Sequence, residues 1–400
     1  MTYMPDWEKK YAKRAKNIRP SAIREILKVT MEPDIISLAG GLPAPESFPL
    51  RELEEACRYL IPRKGKQMFQ YSPTEGYPPL KEFLAENMQK YGVPAEPKNI
   101  LPVNGSQQAL DIVGKLFITE QDKVLTTAPT YLGALQAWNP YLPEYITVPI
   151  SEDGLDTDKL EETLLRVPDI KFMYILPNFH NPAGVTISEV KRHKIVELAR
   201  RFNVFIVEDD PYGQLRYEGK DLSPLVSLYK ENVLYMSTFS KTLAPGLRLG
   251  WIVAPEVVIQ KLVQVKQGAD LHTSTLSQYI AYDICGRGLL KTHIKKIRYM
   301  YKERRDVMLD TLERYFPSGV KWTKPEGGLF LWVELPEHID TKELFNEAVK
   351  EKVAFVPGSS FYPDGSGKNT MRLNFSNATP EMIEEGIKRL ARVIKNKLNK

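Results

Sequence analysis

The strongest constraint on the fold of this chain is an alternation that runs from residue 99 to residue 253. Short apolar runs rich in β-branched residues are separated by stretches of helical period. The candidate strands are Asn99–Val103, Lys123–Thr127, Tyr145–Ile150, Lys171–Leu176, Val204–Glu208, Val233–Thr238 and Leu247–Val253. Between them, Ser106–Phe117 carries Ala109, Leu110, Val113 and Phe117 at a 3.6-residue period. Ser188–Phe202 opens on a candidate N-cap, Ser188, and carries Val190, Ile195, Leu198 and Ala199. Strands interleaved with helices predict a mostly parallel α/β sheet with helices on both faces.

After about Gly286 the pattern changes. One long, charged helical stretch, Leu289–Phe316, leads to a strand at Leu329–Leu335, a helix at Thr341–Lys350, a strand at Thr370–Phe375 and a helix at Pro380–Leu398. This reads as a second, smaller α/β unit. The first 48 residues are rich in Pro and Gly and have no strong strand pattern. The expected division is therefore an N-terminal segment of the small domain (1–48), a large domain (49–299) and the C-terminal small domain (300–400). The length of 400 residues suits two or three domains.

Charge and composition narrow the partners. There are 55 basic and 50 acidic residues, a net charge of +5 with no dense basic block, which argues against nucleic acid. No run approaches the roughly 18 apolar residues a membrane span needs. The N-terminus is charged and lacks the apolar stretch of a signal peptide. A cytoplasmic protein without membrane contact is expected. Cys57 and Cys285 form no CxxC pair, and the five histidines show no HExxH spacing, so no metal site is expected.

Several segments carry chemistry-bearing residues. Ser237-Thr-Phe-Ser-Lys241-Thr-Leu-Ala-Pro-Gly246-Leu-Arg248 puts one lysine among hydroxyls just after a strand, where a partly desolvated amine would have a lowered pKa. Val207-Glu-Asp209-Asp210-Pro-Tyr212 places acids at the carboxyl end of an apolar strand, where ligands bind in α/β folds. Alternation sends Glu208 and Asp209 to opposite faces, but the residues alone do not choose among Glu208, Asp209 and Asp210. Asn104-Gly-Ser106-Gln107 opens a helix straight after a strand: a phosphate site, or a plain N-cap at Ser106. Asn178-Phe-His-Asn181-Pro-Ala-Gly184 is a turn after another apolar strand. In Met371-Arg372-Leu-Asn-Phe375, alternation separates Arg372 from its apolar neighbours.

These segments recur in order and at matching spacing, from Ser21-Ala-Ile-Arg24 and Leu38-Ala-Gly-Gly41-Leu-Pro43 to Met371–Phe375. Together they resemble the class I and II aminotransferases, enzymes of pyridoxal phosphate fold type I. Within that family the chain is similar to the branch of 2-aminoadipate, kynurenine and broad-specificity aromatic aminotransferases. The resemblance implies a large domain with a mostly parallel seven-stranded sheet and a small domain made from both chain ends.

The resemblance also implies roles. Lys241 would form the Schiff base with pyridoxal 5'-phosphate and move the proton at the substrate's Cα. The family's D-x-x-Y spacing selects Asp209 as partner of the ring nitrogen and Tyr212, with Asn181, as donor to the phenolic oxygen. Ser106, Gln107, Thr238, Ser240 and Arg248 would surround the phosphate, and Tyr131, in Ala128-Pro-Thr-Tyr131, would stack on the ring. Arg372 would clamp the α-carboxylate, with Asn181, Gly41 and Arg24 bordering the substrate. Tyr71, in Gln70-Tyr71-Ser-Pro, would reach the phosphate of a second chain, making a homodimer with shared active sites.

The expected reaction is transfer of an amino group from an aromatic, leucine- or methionine-like, 2-aminoadipate or kynurenine donor to 2-oxoglutarate, with ping-pong kinetics. A β-lyase or decarboxylase on the same fold is the alternative within this chemistry. A ligand-sensing regulator would carry a winged-helix domain ahead of the aminotransferase-like part. The family pattern here begins by Ser21, which favours the enzyme.

Overall fold

The computed structural model describes residues 6–18, 26, 32 and 34–399. A short first strand, β1 (Ile36–Ser37), precedes the large sheet. That sheet contains β2 (Ile100–Val103), β3 (Lys123–Ala128), β4 (Glu144–Ser151), β5 (Gly154–Leu155), β6 (Ile170–Ile175), β7 (Phe205–Asp209), β8 (Val233–Thr238) and β9 (Gly250–Val253). Their spatial order is β2-β9-β8-β7-β6-β3-β4-β5. The central pairs β3–β4, β3–β6, β6–β7 and β7–β8 are parallel, while β9 runs against both β8 and β2.

The pleat divides the strand side chains between two cores. Val207, Leu234, Met236 and Ile252 pack with Ala109, Leu110 and Val113 of the helix Ser106–Phe117. Ile206, Val233, Tyr235 and Val253 face the other way, against Ile195 and Leu198 of the helix Glu189–Arg201. Burial of each such aliphatic side chain contributes about 1.5–3 kcal/mol, which fixes the register of every strand. The strand ends that bear functional groups are set by this packing.

Three local expectations change. The sheet has eight strands, not seven, because Gly154 at φ 106° turns the chain back so that Ile150 pairs with Leu155. β9 begins at Gly250 rather than Leu247. Pro245–Leu247 forms a 3-10 turn and Arg248 takes the left-handed region at φ 47°, which takes both out of the ladder. Ser188 sits at an N-cap position, but its hydroxyl makes no cap bond and reaches Asp153 Oδ2 at 3.4 Å instead.

A smaller sheet contains β10 (Lys321–Trp322), β11 (Phe330–Glu334), β13 (Val356–Pro357) and β14 (Thr370–Asn374), in the order β10-β11-β14-β13. β12 (Val353–Ala354) pairs in parallel with β1, and the Asn374 amide donates to Leu38 O at 2.8 Å. Ile36 and Leu38 share a core with Met308, Leu373, Ile383 and Ile387. The 27-residue helix Leu289–Tyr315 bridges these regions. Its Ile297 and Tyr301 pack with Tyr212 and Phe330, while Met308 and Leu312 join the core of the smaller sheet. Among the described residues no helix is long and apolar enough to cross a membrane.

Candidate active site

Asp209 is the last residue of β7 and is 1% exposed. Its Oδ2 accepts a hydrogen bond from the Tyr174 hydroxyl at 2.8 Å, while its Oδ1 has no partner among the described residues. Burial pushes this carboxyl up to about 7, against the lowering effect of Tyr174. The neighbouring acids do other work. Glu208, on the opposite face, accepts from the Leu225 and Val226 amides at 2.8 and 2.9 Å and so caps the helix Leu225–Leu228. Asp210 accepts from Asn178 Nδ2 and the Gly213 amide, both at 2.9 Å.

Tyr212, Asn181 and Arg372 form one chain of contacts. Asn181 Nδ2 reaches the Tyr212 hydroxyl at 3.3 Å, and Arg372 Nη1 donates to Asn181 Oδ1 at 2.9 Å. Arg372 Nη2 donates to Ala39 O at 2.8 Å, and its guanidinium lies 4.2 Å from the Phe330 ring centre and 5.0 Å from that of Phe361. Desolvation of this 1% exposed side chain pushes it down to about 10. Its Nε donor has no partner among the described residues.

Lys241 Nζ donates to Gly41 O at 2.8 Å. Burial first, then the nearby charges of Arg372 and Arg248, push this amine down to about 8. Gly41 itself lies flat on Phe330, since a Cβ there would meet the ring at 2.7 Å. Tyr131 feels Asp209, Arg372 and Arg248, and burial pushes its hydroxyl up to about 12. Its ring covers Gly133, where any Cβ would meet it at 2.4 Å.

In the segment Asn104–Gln107, Ser106 is the first helical residue and not the N-cap. Gly105, at φ 76°, is the N-cap, with no side-chain cap bond, and Ser106 Oγ is buried with no partner among the described residues. Arg248 packs over Gly105: its Nη2 would lie 2.5 Å from a Cβ there and donates to Asn104 O at 3.3 Å. Arg248 Nη1 also reaches Ser240 Oγ at 3.4 Å, and Thr238 Oγ1 donates to Leu249 O at 3.0 Å. Gln107 is exposed, and its Nε2 donates to Gly133 O at 2.9 Å. Tyr71 stands 79% exposed with its ring edge-on to His272. Arg24 lies outside the described residues.

Two parts of this site were not anticipated. Tyr174 orients Asp209 from the neighbouring strand. Beneath the Asn104–Ser106 turn, Asp270 Oδ2 accepts from Asn104 Nδ2, Gln108 Nε2 and the fully buried Lys266 at 2.5, 2.6 and 2.8 Å. The i,i+4 spacing of Lys266 and Asp270 was the one available signal.

The model of the aminotransferase class I and II family matches residues 34–390. The chain belongs to the class I and II aminotransferases. It is 47% identical to aromatic-amino-acid aminotransferase 1 of Thermococcus litoralis, over 99% of this chain and 96% of that one. It is 42% identical to the 2-aminoadipate transaminase of Thermus thermophilus, over 98% of each. Its fold matches the crystal structure of Pyrococcus horikoshii kynurenine aminotransferase with a TM-score of 0.95 at 44% identity, covering 98% of both chains. The chain is thus an aminotransferase of fold type I, and its cofactor is pyridoxal phosphate.

The residues present fit that cofactor. The unpartnered buried atoms include one acceptor, Asp209 Oδ1, and two donors, Ser106 Oγ and Arg372 Nε. A lone buried acceptor suits a pyridinium N–H, and lone buried donors suit a phosphate and a carboxylate.

Proposed function

We propose that this aminotransferase moves the amino group of an aromatic, leucine- or methionine-like, 2-aminoadipate or kynurenine donor to 2-oxoglutarate in a ping-pong cycle, with Lys241 as the amine that holds the cofactor's aldehyde. The names of the three relatives above support the donor class. The observation that carries the reading is the Arg372–Asn181–Tyr212 chain beside a lysine whose amine is pushed down to about 8.

The cofactor, when bound, supplies an electron sink for bond breaking at the substrate's Cα. The rest of the work falls to the chain. Arg372, held by Asn181 and Ala39 and backed by Phe330 and Phe361, has Nε left to grip the α-carboxylate. Lys241, about half free base near pH 8, is able both to attack an aldehyde and to carry a proton at Nζ. Asp209, oriented by Tyr174, keeps its Oδ1 for the ring nitrogen. Asn181 Nδ2 and the Tyr212 hydroxyl are the donors for the phenolic oxygen. Ser106, Thr238, Ser240 and Arg248 line the phosphate, where the Gly105 cap leaves the first helical amides without a side-chain acceptor.

The same reading makes the protein a cytoplasmic homodimer. Residues 1–48 and 300–400 form its small domain, and residues 49–299 form its large one. Exposed apolar groups such as Phe69 (67%), Tyr71 (79%) and Leu271 (52%) are the surface that a second copy would cover.

The test is direct. Purified protein is expected to be yellow, to lose that absorption on borohydride reduction, and to form glutamate from 2-oxoglutarate with one donor class. Capture of pyridoxal phosphate by the apoprotein is expected to accelerate as pH rises through about 8, because only the deprotonated amine attacks. A Lys241→Ala variant with full transaminase activity would sink the assignment.

A further inference from the structure

Asp210 has no role in the reading above, yet it is held at every polar atom. Its amide donates to Met236 O at 2.9 Å, and its carbonyl accepts from Ser237 Oγ at 2.8 Å. Its carboxylate takes Asn178 Nδ2 and the Gly213 amide on Oδ1 and the Tyr235 hydroxyl, at 3.3 Å, on Oδ2. A Cβ at position 213 would lie 2.4 Å from Asp210 Oδ2, so a larger residue there would displace the carboxylate.

The other side of the Asn178 amide is held just as firmly. Asn178 Oδ1 accepts from Arg192 Nη2 at 2.6 Å. Arg192 is 1% exposed and gives its remaining bonds to three carbonyls: Ile187 at 2.9 Å, Ser223 at 2.8 Å and Pro177 at 3.0 Å. Among the described residues no carboxylate bonds it; Glu208, Asp210 and Glu189 act on its charge from further away. Burying a guanidinium to hold one loop is costly, so the position of that loop must matter.

The gripped residues stand immediately before the two donors aimed at the phenolic oxygen. Asn178 precedes Asn181 by three residues, and Asp210 precedes Tyr212 by two. We infer that Arg192, Asn178 and Asp210 are positioning residues that set the approach of Asn181 to Tyr212, and through that pair the proton balance of the bound cofactor. This rests on the proposed placement of Asn181 and Tyr212 at the phenolic oxygen. The network joins the exits of β6 and β7 to β8, so its loss lets the two donors drift apart without removing either. The charged and titratable groups facing Asp210 are Arg192, Glu208, Asp209, Tyr235 and Tyr91.

The experiment uses the holoenzyme. Wild type, Asp210→Ala and Asp210→Asn are compared by kcat, KM, cofactor affinity, thermal unfolding and the pH midpoint of the cofactor's visible absorption. Asp210→Ala is expected to lose about 10–100-fold in kcat with little change in KM, and to move the pH midpoint by about one unit. Asp210→Asn, which keeps an oxygen for Asn178 and Gly213, is expected to restore most of both. If Asp210→Ala does not fold, Asn178→Ser and Arg192→Lys are read in the same way. A lowered melting temperature with an unchanged midpoint and kcat would overturn the inference, because a purely structural bolt predicts that result. Failure of the wild type to bind pyridoxal phosphate would overturn the parent reading instead.

Discussion

At the end of the site proposed to meet the cofactor ring, Asp209, Asn181, Tyr212 and Arg372 are 1%, 4%, 3% and 1% exposed. At the end proposed to meet the phosphate, Arg248 and Gln107 are exposed and Tyr71 is 79% exposed. The first end is built from the last residue of β7, the loops that follow β6 and β7, and the middle of β14, and its partners are already in place. The second is a turn, a helix start and a loop that one chain leaves open. Preorganised groups in a desolvated setting act on charge that develops during reaction. Open cationic groups chiefly hold an anion that is already charged. Damage at the buried end should therefore slow turnover in an enzyme that keeps its cofactor, and damage at the open end should release cofactor from an enzyme that still turns over when saturated.

The largest expected effect is at Asp209. Asp209→Asn keeps the shape and the Tyr174 contact but removes the acceptor charge that holds the ring nitrogen protonated. We expect kcat to fall about 10²–10⁴-fold while cofactor remains bound. Loss of cofactor with normal turnover on resaturation would break the division between the two ends. Arg372→Lys comes next. Lysine has a single nitrogen in place of the planar fork whose two terminal nitrogens bond Asn181 and Ala39, so it cannot hold both and face a carboxylate in the same geometry, and kcat/KM should fall about 10–100-fold, the range for losing one charge-assisted hydrogen bond. An equal loss for substrates without an α-carboxylate would show that Arg372 acts only as a strut.

How much of this was readable in advance follows the same contrast. The helices Ser106–Phe117, Thr341–Lys350 and Pro380–Leu398 match their expected bounds, because periodic apolar faces specify helices locally. The three acids Glu208, Asp209 and Asp210 were legible as the end of an apolar run and the pleat separated Glu208 from Asp209, but only the family resemblance selected Asp209 among them. Tyr174 was not legible as its partner, since the order of strands β6 and β7 is a tertiary fact. Nothing in the helix Glu256–Asp270 marks Lys266 as buried, although it is 0% exposed. Asn104 and Gln108, the partners of Asp270 and Lys266, lie more than 150 residues away. Arg248 in the left-handed region, which cut β9 short, has no local sequence signal.

The smallest predicted effect sharpens the open end. Gly105 holds φ 76° and leaves room for Arg248 Nη2, which a Cβ would approach to 2.5 Å. Gly105→Ala therefore carries two penalties: about 1–3 kcal/mol of backbone strain, and displacement of the guanidinium from Asn104 O. The strain should lower the melting temperature of the apoprotein and holoenzyme alike. The displacement should weaken pyridoxal phosphate about tenfold, on the scale of one weakened charge-assisted contact, while saturated kcat stays near wild type. Arg248→Lys supplies the control, because it moves the cation without straining Gly105. If it weakens cofactor binding without lowering the apoprotein's melting temperature, the two penalties are separable. The open end then acts on retention alone. If instead either variant lowers kcat at saturating cofactor, the phosphate end also orients the ring, and the boundary between the two ends would have to be drawn beyond Arg248.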